Sequence, residues 1–532
     1  MTGARPVILA VVLAVASCTG GADAGDPEAA FGSSGTRFDR AVCALPPQHL
    51  RLIRAGYHPA RSGHIQIVPG RDNYFGSRSH SGPWPFLQRV PLLLFGPGHV
   101  PVVGSVDRPV TLADVAPTYA RVLGFDLPDR DGRPLEEAVE AGGQPPRLIV
   151  TVVWDGGGRN VLEAYPDAWP TLRRLIDRGA WYERATVGSS PSVTPASHTT
   201  LGTGVFPRRH GLVDLVLPRG GEMANVRDVG PESLLVPTVA DEYDRALGNR
   251  PKVGAVASAY ALGMVGSGAA LPGGDRDVAV TQDEDRWGLP ASLRRSFRFP
   301  PSVRDVPGLR GELRRLDRRD GELDGRWLGV AVSDEAHRTP AFGAHQVRVL
   351  EDIIRTEGFG ADDVPDLLYT NFKQIDLVGH RWGMDAPQME AAVRSSDRAL
   401  KDLIRVLDRE VGEGRWVLAL TADHGSMPDA RVTGGVKIDP VALKAALQRR
   451  FDGDGDGRDA IRMLRVTQVW IDEEELAERG ATLTDVARFL QRITEADLAA
   501  PASTPPSQGS RRPLFAAAFP SSAMVGLRCA ST

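Results

Sequence analysis

A chain of 532 residues with 42% hydrophobic and 24% charged side chains has enough apolar surface to bury, which excludes an intrinsically disordered protein. It allows one large α/β domain with an insertion, or several ordinary domains. The formal net charge of -4 leaves no basic excess to draw a nucleic-acid partner, and none is expected.

At the amino end, Arg5 precedes an uninterrupted apolar run over residues 6–16 that is too short to span a bilayer, so residues 1–17 read as an export signal. The run ends in Val15-Ala16-Ser17-Cys18, which resembles a bacterial lipobox and implies that Cys18 is acylated. On that reading the protein is a lipoprotein held on the outer face of the cell membrane by its lipid anchor alone. An ordinary cleaved signal with a chance cysteine is the plainer alternative. Residues 18–36, rich in Gly, Ala, Ser and acidic side chains, read as a flexible tether. Only Cys43 and Cys529 remain, and an exported protein is expected to pair them.

Short apolar runs bounded by turn residues predict buried strands over 64–68, 90–95, 148–154, 253–258, 366–372 and 416–421. Apolar residues at three- and four-residue spacing predict helices over 110–123, 169–178, 387–411 and 483–493. Alternating strands and helices give an α/β sandwich with a central, mostly parallel sheet and helices on both faces. Such sheets carry their chemistry just beyond the carboxyl ends of strands. Residues 260–345, rich in Gly, Pro, Asp and Arg and weakly periodic, read as an insertion that caps the site. The Asp/Gly run at 452–457 resembles the start of a calcium loop, but Met463 stands where a bidentate Glu is needed, which leaves a solvated turn. Residues 501–512 read as a surface loop, and no internal repeat is found.

The apolar run over 148–154 stops at Asp155, and Gly156-Gly157-Gly158 follow. A carboxylate at a strand end, beside glycines that let a ligand approach, can hold a metal; a loop-capping Asp would look the same. Next comes the hydroxyl-rich stretch Ser189-Ser190-Pro191-Ser192-Val193-Thr194, which leads into Thr199-Thr200-Leu201-Gly202 and then His210-Gly211. A hydroxyl becomes a nucleophile only when a base or metal takes its proton, and a helix start favours an anionic substrate. The bland reading is a Ser/Thr-rich turn with a cap. Asp376 and His380 stand four apart, and Asp423-His424 stand side by side after a strand. Such oxygen and nitrogen donors suit zinc, although either pair alone could be a surface salt bridge.

In this order the segments resemble the alkaline phosphatase superfamily, in particular its nucleotide pyrophosphatase/phosphodiesterase-like branch. The resemblance implies two Zn2+ ions per chain, or other divalent transition metals. One would be held by Asp155, Thr194, Asp423 and His424, the other by Asp376, His380 and a histidine near the family's carboxyl end. No histidine follows His424 here. Instead residues 56–63, Ser79-His80-Ser81-Gly82, residues 90–98 and Asp114-Val115-Ala116-Pro117-Thr118 resemble the family's carboxyl-terminal blocks. The chain therefore reads as circularly permuted, with His80 as the remaining ligand. Residues 37–532 form a single catalytic domain on this reading. It comprises the permuted segment 37–145, the rest of the core at 146–259 and 346–500, the cap at 260–345, and a terminal loop at 501–532. The seam opened by permutation is where Cys43 and Cys529 would meet.

The reaction implied is metal-dependent hydrolysis of a small-molecule phosphoric ester, with Thr194 as nucleophile and a phosphothreonine intermediate. Two departures bear on the substrate. Asp214-Leu215 stand where relatives often carry a phosphoryl-binding Asn, and residues 258–263 supply none of the Lys and Arg that some monoesterases use to grip a dianion. The missing clamp favours diesters or nucleotide pyrophosphates over monoesters. A phosphomonoesterase is the alternative, and a catalytically silent surface lipoprotein that binds phosphorylated ligands is the alternative from another class. Sulfatase chemistry is disfavoured, because no formylglycine-forming segment surrounds Thr194. His198 and His210 read as structural.

Overall fold

The computed structural model describes residues 42–140, 142–266, 276–283, 286–320, 322–452, 458–498 and 511–526. The export signal, Cys18, the tether, Cys529 and residues 453–457 of the Asp/Gly run lie outside the described residues.

Among the described residues, nine strands build the central sheet. In chain order they are β1 (Leu92–Phe95), β2 (Gly104–Thr111), β3 (Leu148–Trp154), β4 (Ala180–Thr186), β5 (Val253–Ser258), β6 (Val278–Asp283), β7 (Arg286–Gly288), β8 (Asp366–Phe372) and β9 (Trp416–Thr421). Across the sheet they lie in the order β7-β6-β5-β8-β3-β9-β1-β4-β2. The centre, from β6 to β9, is parallel throughout. Only β1, which opposes both neighbours, and the edge strand β7 run the other way.

Every residue of β3, β8 and β9 is buried, as their unbroken apolar runs require of strands covered on both faces. Alternation along β3 divides its side chains between two cores. Ile149 and Val153 meet Tyr119, Leu123 and Tyr243 from the helices Val115–Leu123 and Val239–Leu247. Val150 and Val152 face the opposite layer, with Ile353 and Leu400 from the helices Pro340–Glu357 and Pro387–Leu407. The result is the expected α/β sandwich.

Three expectations are corrected. The helix expected over 110–123 begins only at Val115; before it, β2 runs along the sheet edge with exposed and half-buried residues alternating. Pro109, Asp107 and Arg108 mask that strand in the sequence, and they are residues that suit an edge. The insertion at 260–345 is more than a cap, because β6 and β7 extend the central sheet. Its helix Arg310–Asp317 and the hairpin of Arg326–Trp327 with Val330–Ala331 pack through Leu316 and Trp327 against Phe342. Finally, the terminal segment is not all loop: Phe515–Pro520 is a strand paired antiparallel with Ile65–Pro69, in a four-stranded sheet with Met463–Leu464 and Gln468–Trp470. Its Phe-Ala-Ala-Ala-Phe-Pro sequence has no β-branched residue to announce it. Val42, Leu50 and Ile53 share a core with Ala517, Phe519 and Met524, so the two ends of the described chain meet. No helix among the described residues is long and apolar enough to cross a membrane.

Candidate active site

The predicted residues converge beyond the carboxyl ends of β3, β8 and β9. Asp155 follows β3 directly, Asp376 and His380 lie on the helix Gln374–Trp382 after β8, and Asp423 and His424 follow β9. Glycine makes the convergence fit. Gly156 has a φ of +71°, and a Cβ there would stand 2.9 Å from the Asp376 Cα; a Cβ on Gly158 would stand 2.5 Å from the Gly425 Cα. The post-β3 turn thus packs backbone to backbone on both neighbouring loops.

His80 arrives from the amino-terminal segment and closes a triad with Asp376 and His380. Its Nε2 lies 3.2 Å from Asp376 Oδ1 and 3.3 Å from His380 Nε2, and His380 Nε2 lies 3.3 Å from the same Oδ1. An ion with bonds of about 2.0 Å holds tetrahedral ligands roughly 3.3 Å apart, so the triad has the spacing of three corners around zinc. His380 Nδ1 donates to the Ser77 carbonyl at 2.6 Å, which turns the Nε2 lone pair inward.

The second group adjoins the first, with the His80 and His424 rings stacked 3.5 Å apart. Asp155, Asp423 and His424 bring one ligand atom each to within 4.8 Å of one another. Asp423 Oδ1 accepts from the Gly156 amide at 3.0 Å, and His424 Nδ1 donates to the Gly425 carbonyl at 3.0 Å. That leaves Asp155 Oδ1, Asp423 Oδ2 and His424 Nε2 buried without a hydrogen-bond partner. Buried polar atoms are rarely left so; Lys373 Nζ, 2.9 Å from Asp155 Oδ1, brings one positive charge here, and a metal cation would satisfy all three atoms. The electrostatics agree. Burial and the charge of Asp155 push the Asp423 carboxyl up to about 7, and although burial opposes it, the charges of Asp423 and Asp155 raise His424 to about 9. The cluster draws in positive charge.

Thr194 begins the helix Thr194–Thr203 and lines a cavity of 630 Å³ together with His80, Asp376 and His380. His198, one turn on, donates from Nδ1 to the Thr194 carbonyl at 2.9 Å. Its Nε2 accepts from Asn371 Nδ2 at 3.1 Å, and Asn371 also donates to Asp155 Oδ2 at 2.7 Å. One amide on β8 therefore ties the helix of Thr194 to the carboxylate of β3. His210 is spent on Thr200 Oγ1 and the Leu212 amide, in keeping with a structural role.

Sequence reasoning missed the cationic groups. Residues 258–263 supply none, whereas Arg227, Lys373 and Arg465 line the same cavity as Thr194. Arg465 comes from the turn between Met463–Leu464 and Gln468–Trp470, and its Nε lies 3.2 Å from Asp214 Oδ1. Asp214 is thereby paired. A signal for Lys373 was present: it lies three residues before Asp376, the spacing that brings side chains together on a helix.

A sequence model described as type I phosphodiesterase / nucleotide pyrophosphatase matches residues 149–502. The chain belongs to this family. Within the alkaline phosphatase superfamily, it is 24% identical over 408 residues to alkaline phosphatase PafA of Elizabethkingia meningoseptica, covering 65% of this chain and 72% of that one. To alkaline phosphatase PhoV of Synechococcus elongatus it is 24% identical over 336 residues, covering 53% of this chain and 59% of that relative, under two thirds of its length. The crystal structure of wild-type PafA superposes with a TM-score of 0.51 at 19% identity, over 70% of this chain and 82% of the other, and shares the fold. The chain is a phosphoesterase of this superfamily.

Proposed function

We propose that the enzyme hydrolyses phosphoric monoesters through a phosphothreonine at Thr194, with one zinc-type ion held by Asp376, His380 and His80 and another by Asp155, Asp423, His424 and Thr194. The observation that carries the reading is the set of three orphaned ligand atoms beside a tetrahedrally spaced triad, in a cavity that Thr194 lines. Bound divalent cations would supply a lowered pKa at the Thr194 hydroxyl and neutralisation of charge on the phosphoryl oxygens. Thr194 Oγ1 then attacks phosphorus, the ester oxygen leaves with its electron pair and takes a proton, and a later attack by water returns phosphate and the free hydroxyl. Burial pulls the His80 imidazole down to about 4, so it is a neutral donor near neutral pH.

The case for diesters rested on missing cations, whereas Arg227, Lys373 and Arg465 line the cavity, the last two also paired with carboxylates. The two relatives above also carry the name alkaline phosphatase. With zinc-reconstituted protein, kcat/KM for p-nitrophenyl phosphate is expected to exceed that for bis(p-nitrophenyl) phosphate. The reverse ranking would return the enzyme to diesters and nucleotide pyrophosphates, and no turnover of either at full metal content would leave a silent binding lipoprotein.

Permutation belongs to this proposal. The family match starts at residue 149, while β1 and the His80 loop, which complete the sheet and the triad, precede it. The lipid anchor on Cys18 and the Cys43–Cys529 bond belong to it too. In support of the bond, Val42 shares a core with Phe519 and Met524, and closing so long a loop contributes about 2–5 kcal/mol. Non-reducing peptide mapping of exported protein should recover the two cysteine peptides joined and Cys18 as an acylated amino terminus. Free thiols, or an unmodified amino terminus elsewhere, would refute the respective part.

A further inference from the structure

We propose that Lys373 tunes this centre to a dianionic phosphoryl group, its ammonium joining the carboxylates of the two ion sites and presenting a fixed positive charge beside Thr194. The inference rests on the hydrolase reading above and adds the residue that sets its substrate class.

Lys373 caps the helix Gln374–Trp382, and its Nζ reaches into the middle of the cluster. It donates to Asp376 Oδ2 at 2.6 Å and lies 2.9 Å from Asp155 Oδ1. The two oxygens of Asp376 are thus divided, Oδ1 towards His80 and His380 and Oδ2 towards Lys373. A lysine that served only to hold Asp376 would have no reason to stand equally near the carboxylate of the other site. Its side chain is 12% exposed, and it lines the cavity that Thr194 lines. An ammonium has three hydrogens; Asp376 takes one and Asp155 at most one, which leaves one for a phosphoryl oxygen. As a compact point charge on a flexible stem, lysine fits a crowded position between carboxylates better than a planar guanidinium does.

Charge matching gives the substrate class. Three carboxylates and the deprotonated Thr194 nucleophile balance two divalent ions, so the ion sites by themselves carry no net charge. The Lys373 ammonium is then a surplus positive charge, which favours a monoester dianion over a diester monoanion. Asp155, Asp376 and Asp423 are all buried, so water screens this balance little.

The test compares Lys373→Met with Lys373→Arg in zinc-reconstituted protein, reading metal content by elemental analysis, inorganic phosphate binding by calorimetry, and kcat/KM for p-nitrophenyl phosphate and bis(p-nitrophenyl) phosphate. Lys373→Met should keep both metal equivalents and bind inorganic phosphate more weakly by roughly 10- to 100-fold, the size of one charged hydrogen bond. Its monoester kcat/KM should fall by roughly that factor more than its diester kcat/KM, while Lys373→Arg keeps most of the wild-type ratio. An equal fall for both esters, unchanged phosphate affinity, or loss of metal from both variants would overturn the assignment. If wild-type protein turns over neither ester but Lys373→Met still weakens phosphate binding, the Lys373 assignment stands and the hydrolase reading falls.

Discussion

Thr194→Ala is expected to remove turnover by on the order of 10³-fold or more while metal content and fold stay nearly unchanged. Loss of the Oγ1 takes away the attacking atom, whereas Asp155, Asp423 and His424 still offer three ligands, the usual number for catalytic zinc. Alanine also suits a helix start whose other contacts run through the Thr194 carbonyl, which His198 holds whatever the side chain. The measurement is steady-state kinetics paired with elemental analysis on the same preparation. Near wild-type activity would move the nucleophile to Ser192 or Ser190. Ser192 donates to the His80 carbonyl, and neither serine lines the cavity, so the geometry favours Thr194.

The second large effect is expected at His80. His80→Ala should lose about one equivalent of metal per chain, or hold it with affinity lower by an order of magnitude or more, and lose most activity with the fold intact. Without it the site keeps only Asp376 and His380 of its three proposed ligands, and the ring that stacks on His424 is lost as well. The other histidines of the amino-terminal segment stand elsewhere, His49 with its ring edge-on to Trp84. His58 accepts from the Ala60 amide, His64 accepts from the Ile471 amide, and His99 bridges the Gln144 and Gly414 carbonyls. Full metal occupancy and activity in the variant would remove both the ligand assignment and the main support for a permuted chain.

What the sequence carried was the chemistry that strand ends display. Asp155 and Asp423 stop apolar runs of strand length, and Asp376 with His380 has the spacing that sets two ligands on one helix face, so each could be read from its neighbours. His80 could not be read from local pattern alone; nothing in Ser79-His80-Ser81 requires an ion, and only resemblance pointed to it. Asn371, Arg465 and the reach of Lys373 to Asp155 were hidden for a different reason. Their roles depend on the register of β8 against β3 and on a turn of the second sheet folding over the cavity, which are tertiary facts. The strands that escaped, β2, β6, β7 and Phe515–Pro520, lie at sheet edges or consist largely of small residues, where burial leaves a faint pattern.

The central claim is that a phosphoryl group passes through Thr194. Rapid acid quenching of the zinc-reconstituted enzyme during turnover of p-nitrophenyl phosphate, followed by peptide mass spectrometry, tests it most directly. One phosphoryl group on the Thr194 side chain, absent from the Thr194→Ala protein, is the predicted result. Turnover with no phosphorylated peptide under conditions where the intermediate accumulates, or with the phosphoryl group on Ser190 or Ser192, would contradict the account.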